Sequence, residues 1–341
     1  MDQNILSDLR ARKLQESDNE DLALLKKVLL SPDIQVVYSH ITLAEIYQIS
    51  IHEYKVEHIN LLEELNAKYI EPNSKKLSDK KPSQVWIDYI KSINSKDDIL
   101  GIKNLGIAIE NLSRKISGLP IKDSFEEISE SLEDSRRSLS KKIIDLLDVN
   151  INEDDLKEPY KGNLTQIKNC IELMKEWIPI LLNNPQKFDS LSSFDNQPLG
   201  PKPFREYEPI KNLKISSLPS SNVVSAIENV LNQENTAPKS INYFDDITEN
   251  QISKAYSLMN WAGYYPDDFN KIKKHTDRFR ASNNDMLHAT AACRANFLIS
   301  DDYAFRMKVI ASYEYAKSHT TVCSAKDFLE EHHEPKYISS K

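Results

Sequence analysis

The run Asn284-Asp285-Met286-Leu287-His288-Ala289, followed by Phe297-Leu298-Ile299-Ser300-Asp301-Asp302 and Phe305, decides the reading of this chain. The first segment has helical spacing, the second is an apolar strand, and two carboxylates stand where that strand ends. In an open parallel α/β sheet the carboxyl ends of the strands form the crevice in which ligands bind, so acids there are candidates for chemistry. The pattern points to a metal-dependent hydrolase.

Moving outward, the spacing predicts a helix over 303–315, a strand over 321–323 and a closing helix over 325–331. The same grammar recurs at the N-terminus. A helix over 14–30 carries Leu22, Leu25, Val28 and Leu29, Ser31-Pro32-Asp33 stops it, and Ile34 to Tyr38 reads as a short buried strand. Ser39 to Thr42 then caps a helix with Glu45 near its start. Between these two α/β halves the character changes. Lys and Ser rise from about residue 73, strand signals vanish, and helical patterns fill 85–117, 121–148 and 153–183. Residues 184–220 hold six prolines and read as a long surface connection.

The fold expected is therefore α/β, a Rossmann-like parallel sheet flanked by helices and interrupted by a mostly helical insert. Its parts are 1–70, an insertion over 71–245 that includes the proline-rich connection 184–220, and 246–341. A chain of 341 residues fits about two units, and only six glycines argue for many helix connections and few tight turns. The net charge of −8 argues against nonspecific coating of a nucleic acid while allowing a local basic patch. Three unpaired-looking cysteines, no apolar run long enough to span a bilayer and no leader pattern point to a cytoplasmic protein with no membrane partner.

Asp2, Glu45, Asp285 and Asp302 share one context, the end of a strand or the helix just after it, with Asp301 adjacent. Right-handed parallel crossovers bring such ends to one rim. Carboxylates gathered there raise one another's pKa unless a cation compensates, and oxygen donors without His or Cys at metal spacing favour Mg²⁺ or Mn²⁺. Each acid also has a plain reading: Asp2, Asp285 and the Asp301-Asp302 pair as helix caps, Glu45 as a favourable charge near a helix start. His288 reads as a packed, hydrogen-bonded histidine, and Trp86, Trp177 and Trp261 as core. The basic run Lys271, Lys273, Lys274, Arg278 and Arg280 reads equally as a phosphate-binding patch and as a solvated loop.

These residues carry a family resemblance. Asp2-Gln3-Asn4 resembles the opening Asp-x-Asn motif of PIN-domain ribonucleases, and Thr42-Leu43-Ala44-Glu45-Ile46 their second acidic motif. Asn284-Asp285 with His288-Ala289 and Ala292 is similar to the third, and Leu298-Ile299-Ser300-Asp301-Asp302 with Phe305 to the fourth. Only Met1 precedes Asp2, whereas the family's first motif closes a full strand. The resemblance covers about 1–65 and 250–332. It implies a divalent-metal-dependent endoribonuclease in which Asp2 and Asp285 ligate metal, Glu45 and Asp302 complete the cluster with Asp301 as alternate, and Asn4 and Ser300 orient the carboxylates. It further implies an RNA substrate, single-stranded or structured and including tRNA, and a toxin or defence role controlled by a homo-oligomer or regulatory protein through the insert. The alternative is a noncatalytic interaction module of the same type.

Overall fold

The computed structural model describes residues 1–16, 19–72, 76–94, 102–148, 151–152, 154, 156, 161–183, 198–233, 247–269, 271 and 276–332. Contacts divide the chain into two compact units, Met1–Asn94 with Phe204–Lys341, and Ser95–Pro203. The first unit opens with α1 (Gln3–Asp8), α2 (Ala11–Glu16), α3 (Glu20–Leu29), β1 (Val37–Tyr38), α4 (His40–Gln48), α5 (His52–Glu64), β2 (Lys68–Tyr69) and α6 (Pro82–Asn94). The second unit holds α7 (Ile102–Ile116), α8 (Phe125–Leu147) and α9 (Leu164–Asn183), and α10 (Pro201–Glu206) spans its end. The first unit then resumes with α11 (Glu208–Asn212), α12 (Ser220–Gln233), α13 (Thr248–Ala262), α14 (Thr276–Ala292), β3 (Phe297–Ile299), α15 (Tyr303–Ala316), β4 (Thr321–Cys323) and α16 (Ala325–His332).

The protein is mostly helical, and the expected Rossmann-like sheet is not what forms. Among the described residues the strands make two separate parallel pairs, β1 with β2 and β3 with β4. The pairing shows at their edges. Alternation along a parallel strand sends the backbone groups of Val36 and Tyr38 to β2, where Lys68 and Ile70 bond them, and leaves those of Val37 on the other side. In β3, Asn296 and Ser300 likewise bond β4, and the Ile299 carbonyl faces away to accept from the Asp2 amide at 3.0 Å. Among the described residues no strand joins the two pairs, and Val37, Phe297 and Ile299 with Met1 line a cavity of about 870 Å³.

What strand there is sits deep because both its faces are apolar. Ile299 packs with Ile5, Leu25, Leu43, Leu62 and Phe328 in one core cluster, while Leu298 points into another with Ile252, Tyr256, Phe305, Val309 and Tyr313. Helices α13 and α12 pack on α15, α14 packs on α13 and α4, and α16 packs on α3. Ser39 starts α4 as the sequence suggests, its hydroxyl accepting from Ile41 at 3.2 Å while Thr42 accepts from the Ser39 amide.

In the second unit Ser124 and Glu127 form a reciprocal cap at the start of α8, and Ala108, Ile128 and Leu132 seat α7 on α8. Along α9, Leu173, Met174, Trp177 and Ile180 are all more than half exposed, which corrects the reading of Trp177 as core. Trp86 does pack on the core beside Tyr89, and Trp261 meets Phe204 edge to face. The proline-rich connection also needs correction. Residues 184–197 lie outside the described residues, but Pro201 and Pro209 stand at the first turns of α10 and α11, and Ile210 and Ile215 are buried. Proline at a helix start loses no hydrogen bond, so these prolines initiate packed helices. Among the described residues no helix is long and apolar enough to cross a membrane.

Gly263 ends α13 at φ +102°, where an L side chain is strained and a Cβ would come within 3.4 Å of the Arg205 side chain. Arg205 in turn donates to the carbonyls of Trp261 and Asn260 at 2.9 Å, locking this turn. Gly263→Ala is expected to lower unfolding stability by about 1–2 kcal/mol, seen as a lower urea midpoint with unchanged slope.

Candidate functional site

Asp2 is nearly buried and does three things at once. Its amide pairs with Ile299, its Oδ1 accepts from the Ile5 amide at 2.9 Å to cap α1, and its Oδ2 accepts a hydrogen bond from the Ser300 hydroxyl. The same hydroxyl accepts from the Asp302 amide at 3.2 Å. Fully buried Ser300 therefore bonds the carboxylate of Asp2 and the backbone amide of Asp302. Asp302 uses Oδ1 to cap α15 through the Phe305 amide at 2.8 Å. Asp301 turns the other way, its Oδ1 accepting from the Ala325 amide at 2.9 Å at the start of α16. Asn4 is exposed on α1, and no hydrogen bond joins it to an acid among the described residues.

Glu45 comes to the same neighbourhood from α4. Its two oxygens take Asn284 Nδ2 at 3.2 Å and His288 Nε2 at 2.6 Å. Asn284 and His288 are four residues apart on α14 and so share a face. His288 is thus the packed, hydrogen-bonded histidine its alanine-rich surroundings suggest, and its partner is the acid the sequence singled out. Among the described residues the asparagine that bonds one of these acids is Asn284, not Asn4.

Asp285, between them on α14, is not a cap but lies inside a long helix. Its carboxyl is pushed up to about 8, first by burial, then by the negative charge of Asp267, with Glu45 and Asp302 adding and Lys308 opposing. The Asp2 carboxyl is also raised, again chiefly by burial, against the pull of its Ser300 and Ile5 hydrogen bonds, the Met1 amine and His288. Asp285 therefore shares one electrostatic neighbourhood with Asp267, Glu45 and Asp302, and Asp2 reaches it through Ser300 and His288.

Sequence reasoning missed the cation at its centre. Lys308 on α15 is 1% exposed, bonds Asp267 Oδ1 at 2.6 Å and holds its Nζ 4.6 Å from the centre of the Tyr256 ring. Asp267 also accepts from Asn260 Nδ2 at 2.9 Å and from the Ser282 hydroxyl, and its amide donates to Asn260 Oδ1 at 2.8 Å. Beside this network the buried Tyr256 hydroxyl has no hydrogen-bond partner among the described residues, and burial together with Asp285, Asp267 and Asp302 raises its pKa well above the ordinary value. The legible signal was a lysine on the face of α15 that also carries Phe305 and Ser312. Asp267, in a Pro-Asp-Asp turn, offers none.

The donor chemistry fits a hard divalent cation: carboxylate oxygens, one carboxyl kept from ionising chiefly by burial and then by its like-charged neighbours, and a hydroxyl without a partner among the described residues. Among the described residues, however, no three His, Cys, Asp or Glu side chains are already gathered as a ligand set. Of the basic run, Lys271 is exposed and pairs with Asp268 at 3.5 Å, and Arg280 is exposed. Lys273, Lys274 and the side chain of Arg278 lie outside the described residues. Comparison with known protein families, curated proteins and solved structures finds no match.

The two unusual groups have measurable consequences. Between its ordinary value of 3.8 and about 8, folded Asp285 holds a proton that the unfolded chain has released, so stability falls as pH rises across that window. Metal-free Asp285→Asn is expected to melt higher than wild type near pH 9 and to converge with it near pH 4. Lys308→Met leaves Asp267 without its cation and is expected to cost about 3 kcal/mol in urea unfolding. Adding Asp267→Asn to it should cost less than the sum of the single changes.

Proposed function

We propose that the protein is a divalent-metal-dependent endoribonuclease whose Mg²⁺ or Mn²⁺ is held by Asp285 with Glu45, Asp302 and Asp2. The observation that supports this reading is the electrostatic coupling of Asp285 to Glu45, Asp302 and Asp267, acids drawn from separate segments to one place. The ordered resemblance of the four acidic motifs to PIN-domain ribonucleases supports it independently. A bound divalent ion supplies a lowered water pKa and stabilises charge on a departing oxygen. The chain's own residues prepare the place. Asn284 and His288 fix both oxygens of Glu45, and Ser300 fixes one oxygen of Asp2 while its bond from the Asp302 amide holds that turn. Asp302 commits one oxygen to capping α15, and Asp285 must release its proton before it can ligate.

A second reading, a noncatalytic interaction module, is favoured by the absence of a gathered ligand set among the described residues and by Lys308, a resident cation in the neighbourhood. Calorimetric titration with Mn²⁺ and cleavage of labelled RNA separate the two. The nuclease reading expects Mn²⁺ binding and cleavage in wild type, with cleavage reduced at least about 100-fold in Asp285→Asn. Wild type that takes up no Mn²⁺ and leaves RNA intact establishes the noncatalytic reading instead. If the nuclease also acts as a toxin or defence effector, induced expression should arrest growth with Asp285 intact and not with Asp285→Asn.

A further inference from the structure

Directly after Asp302, the first residue of α15 is Tyr303, and it is 56% exposed. Its ring stands 5.4 Å from that of Tyr265 at 81°, with the two hydroxyls 3.4 Å apart. Tyr265 is held for this contact by an unusual backbone. It has φ +45°, a conformation bulky residues avoid, between Tyr264 and Pro266. Tyr264 is almost fully buried and meets Tyr265 edge to face at 4.8 Å, and two residues further on Asp267 is fastened to Asn260, Ser282 and Lys308. The guanidinium of Arg306 lies 5.8 Å from the Tyr303 ring centre and is tied to the Ser300 carbonyl at 2.7 Å. Exposed Tyr303, backed by the partly buried Tyr265, is thus fixed between the Asp302 turn and the Asp267 turn, with a cation beside its ring.

A large aromatic surface left in water beside a carboxylate neighbourhood, and held there by a strained residue, is unfavourable for stability alone. Such strain persists where a site needs a fixed geometry. Aromatic faces of this kind receive nucleobases, which stack without sequence preference provided they are not already paired and stacked in a duplex. We propose that Tyr303 and Tyr265 form a stacking platform for an unpaired nucleobase next to the acid neighbourhood, so that the substrate is single-stranded RNA. This deepens the nuclease reading and rests on it for the identity of the polymer. Arg306 flanks the stacked base, and Asp302, one residue before Tyr303, ties the platform to the place of cleavage.

The test uses the full chain in Ca²⁺, with a fluorescent single-stranded oligoribonucleotide and a hairpin duplex of equal length, alongside calorimetry with Mn²⁺. Tyr303→Ala is expected to weaken single-strand binding about tenfold, within the range of one lost base stack, while leaving duplex binding and the Mn²⁺ isotherm unchanged. Tyr303→Trp should restore single-strand affinity. Equal affinity of Tyr303→Ala and wild type for the single strand overturns the platform alone, as does an equal loss on both RNAs. Wild type that binds Mn²⁺ but neither RNA overturns the platform together with the ribonuclease assignment. Wild type that binds no Mn²⁺ yet loses single-strand affinity in Tyr303→Ala overturns the metal-dependent reading and upholds the platform.

Discussion

A charged lysine with one per cent of its surface exposed calls for a partner carboxylate, and this constraint bears on the larger half of the first unit. Removing an ammonium from water is costly, and the loss is recovered only when its partner is itself well bonded. Lys308 meets that condition through Asp267, which Asn260 of α13 and Ser282 of α14 hold in turn. Three helices and one turn are therefore placed relative to one another by a single charge. The Tyr256 ring completes the enclosure. The turn that delivers Asp267 also delivers Tyr265, and the helix that delivers Lys308 begins at Asp302. The same pair that closes the core thus brings together the polar groups of the rim.

The acids divide into two kinds by what holds them. Asp2 and Asp302 are both helix caps, the plain reading of an aspartate before a helix, and each uses only Oδ1 for that purpose. Capping fixes the carboxylate's position and aims its second oxygen, which is what a ligand requires. Glu45 and Asp285 follow the opposite logic. Neither caps anything, and Glu45 is held by two side chains while Asp285 is surrounded by like charge. An acid placed where burial and its neighbours both resist ionisation is a stability defect unless a cation or proton accompanies it.

Local signals made the C-terminal elements legible. Phe297-Leu298-Ile299 is a strand because both of its faces meet apolar clusters, and α15, β4 and α16 follow within a residue or two of where periodicity puts them. The sheet was not legible, because joining strands is a matter of what lies between their edges. Val37 and Ile299 line a cavity, and the strands form two short parallel pairs. Prolines near 201–209 misled for a related reason, since the same residue that breaks a helix interior starts a helix well. In the site, acids next to strand ends could be read from order alone. The contacts of Asn284, Asp267 and Lys308 are long-range and leave only the faint mark of a lysine in an apolar stripe.

The hydrogen bond between Ser300 and Asp2 joins residues 298 positions apart, and that between His288 and Glu45 joins residues 243 apart. Closing such loops is entropically slow, and domains form only once their last elements have been made. At roughly 5–20 residues per second, a ribosome leaves Asp2 waiting roughly 15–60 s for its serine. The Asp2–Ser300 contact therefore cannot form before residue 300 has been made, and a chain terminated earlier carries its acids apart.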